Sequence, residues 1–329
     1  MKLFAGVDGG GSRTRVVVAD ASGRLLGRGE SGLANLHHAS EADVCAHLRD
    51  ALHRALGPAG HQVMDVGSIF FGMAGVTCQA TSDKFRRIAF EIGFGEARIG
   101  VDHDIRIALA GGLAGRPGIA LIVGTGSSCY GRNGAGQTWQ TGGWGSLVAD
   151  EGSGHDLGRQ AMVAAVRMAD GRIPVTALRD RVFEFLGVKR VSEMLARLYE
   201  QGIERNEIAA LAPAVVELAE AGDSAALGIL AAGAMELAHM VEANHSNLPT
   251  GDPPQVVITG GLGTARTLYQ TLIRVAIARS IPGMLIPRAE FEPVVGAVLL
   301  AMQEAGVEMT PEVLDNLGAR EPQPGSLGQ

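Results

Sequence analysis

The sequence predicts an α/β fold of two domains, and three observations lead to this prediction. The chain has 329 residues, which is long for one hydrophobic core and typical of two. A glycine-bearing turn between two β-branched or apolar runs occurs at 7–14 and again at 123–128. Other apolar runs of strand length alternate with segments of helical period. Because the strand–turn–strand pattern recurs, we expect an internal duplication.

In the first half, the pattern predicts a three-stranded meander followed by alternating helices and strands. Ser40 followed by Asp43 resembles a capping box, which marks the start of a helix. The continuous apolar run 66–71 is typical of a buried central strand. The predicted strands are 3–7, 14–20, 24–30, 66–71 and 98–101, and the predicted helices end near 56, 92 and 113.

The second half repeats the meander after a glycine- and proline-containing segment, 114–118, which we interpret as a hinge. Helical periodicity then dominates from 155 to about 248, and another strand ends in a third glycine turn, 260–263. The predicted strands are 119–123, 129–132, 137–140 and 255–259, followed by helices to about 280 and over 293–305. We expect the remainder to be a flexible tail.

Composition and charge limit the partners that the chain can have. Apolar residues make up 46% of the chain and charged residues 19%, which argues against disorder. The net charge is −7, there is no basic run, and the lysines are Lys2, Lys84 and Lys189. A nucleic-acid partner is therefore not expected.

Cysteine usage and hydropathy favour a cytoplasmic protein without a membrane partner. Cys45, Cys78 and Cys129 are far apart and form no C-x-x-C motif, so neither a disulfide framework nor a zinc site is indicated. Asp8 lies in the first apolar run, where a signal peptide would carry no charge. The most apolar stretch, 225–243, is interrupted by three polar side chains and predicts a buried helix.

The two glycine turns have the composition of phosphate cradles. Glycine tolerates positive φ, so the backbone can turn tightly and direct several N–H groups at an anion, while Ser and Thr hydroxyls add donors. Most glycine-rich turns are only turns, but two of them suit a nucleotide triphosphate, which has several phosphates to hold. The usual nucleotide motifs are absent. The chain has no Gly-Lys pair, and no glycine turn completes G-x-G-x-x-G.

The order of five motifs resembles the N-acetylglucosamine kinase and BadF-type ATPase group of the actin-like ATPase and hexokinase superfamily. The motifs are residues 8–14, 124–127, 142–145, 150–153 and 259–261, and the resemblance covers roughly 3–300. It implies two ribonuclease-H-like (actin-like ATPase) domains with the nucleotide and the sugar in a cleft between them. The expected first domain is 1–115 plus 290–306, the second is 116–289 with a helical insertion, and 307–329 is the tail.

The resemblance implies ATP and Mg²⁺ as cofactors. Asp8 would hold the metal mainly through water, as that hard cation prefers. The alternative is that Asp8 is an ordinary turn former. The residues expected to bind the nucleotide are Gly9, Gly10, Gly11, Ser12, Thr14, Gly124, Thr125, Gly126, Ser127, Gly260, Gly261 and Gly263.

The resemblance also places the catalytic base and the sugar site. Alignment of the stretch after Asp104 with the family puts the base at Asp104, although Asp102 is close enough to remain an alternative. Trp144 could pack on a pyranose face or fill core, and these two interpretations stay open. The residues expected to contact the sugar are Asn35, Gly75, Asp104, Thr125, Trp144, Asp150 and Glu151. We assign no metal-binding or catalytic role to His37, His38 and His103.

The implied activity is transfer of the γ-phosphate of ATP to a hydroxyl, O6, of an amino sugar such as N-acetylglucosamine or glucosamine. N-acetylmuramic acid and other hexoses stay open, and a homodimer is compatible with the family. The alternative is a BadF-type ATPase that activates a redox partner, but the three cysteines lack cluster-like spacing. We expect the domains to close on the sugar, which would keep sugar-independent ATP hydrolysis low.

Overall fold

The computed structural model describes residues 2–11, 13–36 and 38–319. The chain divides into two compact units, Met1–Arg116 with Arg288–Gln329 and Pro117–Pro287. Each unit is built around one mixed β-sheet with helices packed on it. The α/β class predicted from the sequence is thereby confirmed.

The strands are β1 (Leu3–Gly9), β2 (Thr14–Ala19), β3 (Leu25–Ser31), β4 (Val66–Met73), β5 (Arg98–His103), β6 (Gly118–Val123), β7 (Ser127–Arg132), β8 (Thr138–Gly142) and β9 (Val256–Thr259). The helices are α1 (Glu41–Leu56), α2 (Gln79–Glu91), α3 (Asp104–Gly112), α4 (Gly154–Ala169), α5 (Ala177–Leu186), α6 (Val191–Leu195), α7 (Arg205–Ala209), α8 (Ala212–Glu220), α9 (Ser224–Asn247), α10 (Gly261–Thr264), α11 (Leu268–Ser280), α12 (Pro293–Glu304) and α13 (Pro311–Gly318). Short 3₁₀ turns at Gly57–Ala59 and Val63–Asp65 and a π-helical turn at Ala196–Glu200 complete the elements.

The sheet of the first unit has the strand order β3-β2-β1-β4-β5. The meander strands β1, β2 and β3 pair antiparallel, whereas β1, β4 and β5 run parallel. The carboxyl ends of these three parallel strands therefore meet at one edge of the sheet, where ligand sites of α/β folds gather.

Alternation along β1 decides which of its side chains face which helices. Ala5 and Val7 share a buried cluster with residues of α1 and α2, while Phe4 packs with α12 on the other face. Gly6 also faces α12, and a Cβ there would collide with the backbone of that helix. Asp8 follows Gly6 by two residues and so lies on the same face.

The carboxyl-terminal part of the first unit differs from the predicted flexible tail. Residues 311–318 form α13, which begins with Pro311 and is capped by Thr310, whose Oγ1 accepts the Val313 N–H at 3.3 Å. Val313 and Leu317 are buried in the cluster that contains Phe4. The prediction of a flexible tail was therefore wrong for α13, and its part from 320 to 329 lies outside the described residues.

The sheet of the second unit has the order β8-β7-β6-β9. β6 pairs antiparallel with β7 and parallel with β9, as β1 pairs with β2 and β4. The four strands thus repeat the first four of the other sheet, in agreement with the predicted duplication. Helices α4 to α9 form the insertion between β8 and β9.

Helix α9 is long and apolar enough to cross a membrane by length and composition, but 44% of its most apolar window is buried within the protein. Leu230, Leu237 and Val241 of this helix belong to the same buried cluster as Tyr269 of α11. The structure therefore uses α9 as a core helix of the second unit, as the sequence predicts.

Candidate active site

Three strands bring the candidate catalytic residues to one edge of the first sheet. Asp8 of β1 is in register with Gly72 of β4, and Gly72 is in register with Asp102 of β5. Asp104 follows two residues later as the first residue of α3. Gly72 has no side chain, and the side chain of Ile107 from α3 occupies the space that a Cβ at this position would need.

Asp8 is a buried carboxylate that has one direct cation partner among the described residues. Arg15, its register neighbour on β2, donates from Nη2 to Asp8 Oδ2 at 2.5 Å. Burial raises the pKa of Asp8 above its ordinary value, and this effect exceeds the opposing charge and hydrogen bond of Arg15. One carboxylate oxygen takes this bond, so the group retains acceptor capacity for a hydrated cation.

Asp104 combines a helix start with the electrostatic field of a second carboxylate. Burial, and then the nearby Asp8 carboxylate, raise the pKa of Asp104 to about 6. The N–H groups of Ile105 and of Asp104 itself oppose this rise. No cation is among the groups that act on Asp104 in the described part of the chain.

Asp102 has different surroundings from Asp104. Arg106 donates from Nη1 to Asp102 Oδ2 at 2.6 Å, and the backbone N–H of His103 donates to Oδ1 at 2.8 Å. The guanidinium of Arg106 also lies over the ring of Phe70, 5.1 Å from its centroid. Asp102 is therefore held in a structural ion pair, which makes it a poorer candidate base than Asp104.

The first glycine turn is held by backbone bonds at both sides. Gly10 donates its N–H to the Arg13 carbonyl at 2.9 Å, and the Gly9 carbonyl accepts the Ala74 N–H at 2.8 Å. Gly11 is exposed at the tip, and Ser12 lies outside the described residues. The predicted donor Thr14 is fully buried, and its hydroxyl donates to the Gly32 carbonyl at 2.7 Å. That proton is therefore used within the fold.

Two predicted sugar contacts of the first unit lie in loops beside these turns. Asn35 is buried, and its carbonyl accepts the N–H groups of His38 and Ala39, both at 3.0 Å. Gly75 follows the end of β4 and has φ 87°, a conformation that favours glycine.

The second glycine turn rests on the first residues of α4. Gly154 donates its N–H to the Gly124 carbonyl at 2.8 Å, and His155 donates to the Thr125 carbonyl at 3.1 Å. Inside the turn, the Gly124 N–H donates to the Gly126 carbonyl at 2.9 Å. The turn is thus fixed by the same helix that begins after the 150–153 motif.

Asp150 has a structural function that the predicted sugar contact did not include. It is buried at φ 69°, and Oδ2 accepts Nη2 of Arg205 at 2.6 Å while Oδ1 accepts the Ser127 N–H at 3.2 Å. The Ser127 hydroxyl donates to the Glu151 carbonyl at 2.7 Å. Both Asp150 oxygens and both donors of Ser127 are therefore used in bracing the turn.

A pocket of about 600 Å³ opens beside the second glycine turn. Gly124, Thr125 and Gly261 are among its lining residues, and its walls are mainly small and apolar. Gly260 has φ 86°, and a Cβ there would collide with the backbone of Val123. The residues that line the pocket are Gly124, Thr125, Gly154, Asn206, Ala209, Ala210, Pro213, Val216, Glu217, Glu220, Gly261, Leu262, Ala265 and Thr267. Its size and apolar walls suit a nucleoside.

Residues 5–301 match the model of the BadF/BadG/BcrA/BcrD ATPase family. The chain belongs to this family. It is 31% identical over 306 residues to the N-acetylmuramic acid/N-acetylglucosamine kinase of Clostridium acetobutylicum, covering 92% of this chain and 99% of that protein. It is 27% identical over 312 residues to the N-acetyl-D-glucosamine kinase of Dictyostelium discoideum, covering 92% and 98%.

Solved structures agree with this BadF-type assignment. A candidate N-acetylglucosamine kinase from Chromobacterium violaceum superimposes with a TM-score of 0.73 at 25% identity, covering 92% of this chain and 99% of that one. The ROK hexokinase from Thermus thermophilus superimposes with a TM-score of 0.60 at 20% identity over 92% and 99%, which shows a shared fold. The predicted family resemblance and the actin-like ATPase fold are confirmed.

In this BadF-type protein, Trp144 is 60% exposed, which excludes the interpretation that it fills core. With Glu151 it lines a shallow cavity of about 300 Å³ on the second unit. Glu236, His239 and Met240 of α9 form another side of this cavity.

Histidines and cysteines form no metal site in the part of the chain that the structure describes, where no three His, Cys, Asp or Glu side chains cluster. Cys45 and Cys129 are buried and Cys78 is exposed. Burial lowers the pKa of His103. His37 lies outside the described residues.

Sequence reasoning missed the arginines that pair with the acidic residues of the BadF-type motifs. Arg15 could have been found by counting across the hairpin, because Gly9 opposite Thr14 puts Asp8 opposite Arg15. Arg106 follows Asp102 by four residues, the spacing of a helical ion pair. Arg205 lies 55 residues after Asp150, and no local pattern announces that pair.

Proposed function

We propose that the protein is an ATP-dependent kinase that transfers the γ-phosphate of ATP to O6 of an amino sugar such as N-acetylglucosamine or glucosamine. The observation that carries this proposal is the pair of carboxylates, Asp8 and Asp104, at the carboxyl ends of parallel strands. We also propose that the two compact units are its two catalytic domains.

Asp104 is the base in this proposal. In phosphoryl transfer, a carboxylate orients the attacking hydroxyl and accepts its proton as the new bond forms. A carboxyl whose pKa is about 6 is mostly ionised at neutral pH and is a stronger base than an ordinary aspartate. Asp102, held by Arg106, supports the start of α3 instead.

Asp8 fits a magnesium ion by the chemistry of its donors. It offers a buried carboxylate with one oxygen left by Arg15, next to the exposed tip of a glycine turn. Mg²⁺ prefers such oxygen donors together with water and phosphate. When bound, the ion would neutralise charge that develops on the transferred phosphoryl group. Asp8 would hold it mainly through water.

The pocket of the second unit is proposed to hold the adenosine. The second glycine turn would direct N–H groups to the phosphates, and Ala209, Pro213 and Leu262 would pack against the base. All the residues of this pocket belong to the second unit.

The sugar class rests on the relatives and on the two exposed groups Trp144 and Glu151. The kinases of Clostridium acetobutylicum and Dictyostelium discoideum are named for N-acetylated amino sugars. An exposed indole offers a face on which a pyranose can pack, and Glu151 offers acceptors for hydroxyls. Residues 72–76, which include Gly75, are proposed to line a small recess for the substituent at C2.

The test is a coupled ADP-release assay over glucose, glucosamine, N-acetylglucosamine and N-acetylmuramic acid, with the product position determined by phosphorus–carbon coupling in NMR. We expect the highest kcat/KM with an amino sugar and phosphorus on O6. N-Acetylglucosamine that lacks the 6-hydroxyl should give no ADP above background. Equal kcat/KM for glucose and both hexosamines would contradict the amino-sugar assignment.

A further inference from the structure

The guanidinium of Arg205 lies directly against the second glycine turn, of which Gly124 and Thr125 line the proposed nucleotide pocket. A Cβ built on Gly126 would overlap Nη2 of Arg205 and would also press on Asp150 Oδ1. The arginine therefore occupies the space that a side chain at 126 would take. The next residue of α7, Asn206, lines the pocket itself.

Asp150 fixes this guanidinium in place. Its two oxygens join Arg205 to the N–H of Ser127, and the Asp150 side chain is only 4% exposed. A buried carboxylate between two donors has little freedom to move, so the orientation of the guanidinium is set by the turn on which it lies. An arginine held in this way loses little further freedom when it binds a ligand.

Arg205 still has hydrogen-bonding capacity for a ligand. Its side chain is 41% exposed, and its Nε is buried with no hydrogen-bond partner among the described residues. A guanidinium has five N–H donors in a planar fork, which matches the oxygens of a phosphate. A guanidinium with an unpartnered Nε, whose Nη2 contacts a glycine turn, is an arrangement expected where an anion binds.

The lining of the pocket carries no cation of its own. No lysine or arginine is among its lining residues, which include two glutamates, Glu217 and Glu220. The second unit has a single lysine, Lys189, which is exposed and follows α5. No glycine in the sequence is followed by lysine, so the P-loop arrangement is also missing. Arg205 is a cation in contact with the glycine turn whose residues Gly124 and Thr125 line the pocket.

We propose that Arg205 is a further phosphate-binding residue, which contacts the phosphates of the nucleotide while Asp150 holds its guanidinium against the Gly124–Ser127 turn. The proposal rests on the nucleotide site proposed above. The competing explanation is that Arg205 only neutralises the buried Asp150 and fastens α7 to the turn.

Adenosine separates these two explanations because it fills the same pocket without phosphates. In calorimetric titrations, we expect Arg205→Gln to weaken the binding of ATP and ADP by about 10- to 100-fold, which is the usual contribution of a charge-assisted contact. The affinity for adenosine should stay within about twofold of the wild-type value. If adenosine is weakened in parallel with ATP, or if ATP binding is unchanged, Arg205 does not bind phosphate. If the wild-type protein binds neither ATP nor adenosine, the proposed nucleotide site itself is wrong.

A double variant addresses misfolding and the burial of an unpaired Asp150. Arg205→Gln combined with Asp150→Asn removes both charges, so a purely neutralising arginine predicts that ATP binding returns to the wild-type value. Under our proposal, ATP binding stays at least about 10-fold weaker in the double variant, with circular dichroism like the wild type. Arg197→Gln is the matched control. Arg197 pairs at 2.7 Å with Glu207, which belongs to α7 as Arg205 does, and this substitution should not change the affinity for ATP.

Discussion

Asp102 and Asp104 are two residues apart but differ in the charges that surround them. Arg106 neutralises Asp102, whereas Asp104 is buried near another carboxylate. The difference arises where β5 becomes α3, because this change of backbone direction carries the two side chains into separate surroundings. Asp102 is therefore engaged in an ion pair, whereas no cation acts on the Asp104 carboxylate among the described residues.

Replacement of Asp104 tests its assignment as the base. We expect Asp104→Asn to lower kcat by about 10²- to 10⁴-fold with nucleotide affinity nearly unchanged, since a general base is worth that much. Asp102→Asn is the matched variant and should cost much less. Steady-state kinetics on both folded variants decides the matter, and a reversed order would move the base to Asp102.

The pH profile should carry the signature of the same carboxyl. Because the pKa of Asp104 is raised to about 6, the base becomes protonated as the pH falls through that value. We expect kcat/KM to fall about tenfold per pH unit below pH 6. The measurement is the coupled assay from pH 5 to 8 with the metal kept saturating. Activity that stays level down to pH 5 would assign the base to a more acidic group.

The raised pKa of Asp104 also predicts that Asp104→Asn, which should lower activity, increases the stability of the folded protein at neutral pH. The pKa of Asp104 is higher in the folded protein than the ordinary value of 3.8, so the native state binds the extra proton and loses stability as the pH rises from about 4 through about 6. We expect Asp104→Asn to increase the free energy of unfolding at pH 7.5 by roughly 1 to 3 kcal/mol.

The stability gain of Asp104→Asn should vanish near pH 4, where the carboxyl is protonated in both states. Urea titrations at both pH values measure it, with the exposed Asp315→Asn as a control. A variant that is less stable than the wild type at pH 7.5 would show that the Asp104 carboxylate makes stabilising contacts instead.

At the scale of elements, α13 shows how a short helix contributes through two side chains. Val313 and Leu317, four residues apart, are buried against the face of the sheet that also contacts α12. The helix is therefore an amphipathic cover, and its outer face, which includes Glu312 and Asp315, is exposed.

Truncation of Leu317 tests whether α13 is part of the fold. Leu317→Ala should lower the free energy of unfolding by about 2 to 4 kcal/mol, because the side chain is 2% exposed. Denaturant unfolding gives the value, and the exposed Glu312→Ala should change it by less than about 0.5 kcal/mol. If Leu317→Ala were as stable as the wild type, α13 would not contribute to the stability of the fold.

Element prediction succeeded where the period was strong and failed where the element was short. The β-branched runs around Gly9 and Gly124 identified both meanders, since strands buried on both faces leave continuous apolar stretches. Helix α13 was missed because eight residues provide too few apolar positions to establish a period. The Thr310-Pro311 pair was a usable signal, since a capping residue followed by proline favours a helix start.

For the site, the sequence indicated residues but not their partners. Glycine turns and strand ends located the candidate carboxylates, because such positions depend on local pattern. The pairing of Arg205 with Asp150 and the hydrogen bond of Thr14 to Gly32 depend on the packing of distant segments. No local periodicity encodes such contacts, so the internal hydrogen bonds of Thr14 and Asp150 could not be predicted from the sequence.

At the scale of the whole molecule, the chain passes between the two units twice, after Arg116 and after Pro287. The first unit is therefore discontinuous in sequence, and its last helices depend on the return of the chain. The candidate base and metal ligand belong to this unit, whereas the nucleoside pocket belongs to the second.

This distribution predicts which amides a nucleoside protects from hydrogen exchange. Saturating adenosine should slow exchange in the β6–β7 turn, α7 and α10, while β5 and the start of α3 keep their free rates, because all the pocket residues lie in the second unit. Mass spectrometry of peptides from both units measures this. Protection confined to the first unit would place the nucleoside elsewhere.

The two copies of the meander differ at the residue that precedes the glycine turn. Aligned on their glycine turns, Asp8 of the first copy corresponds to Val123 of the second, which is fully buried in the core. Valine at this position offers no carboxylate for a cation, so the second turn has only its amides and hydroxyls to bind a ligand. Placing a carboxylate there by Val123→Asp in an Asp8→Asn background should therefore fail to recover activity, because Val123 lies in an apolar interior and faces Ser127 on β7 instead of an arginine such as Arg15.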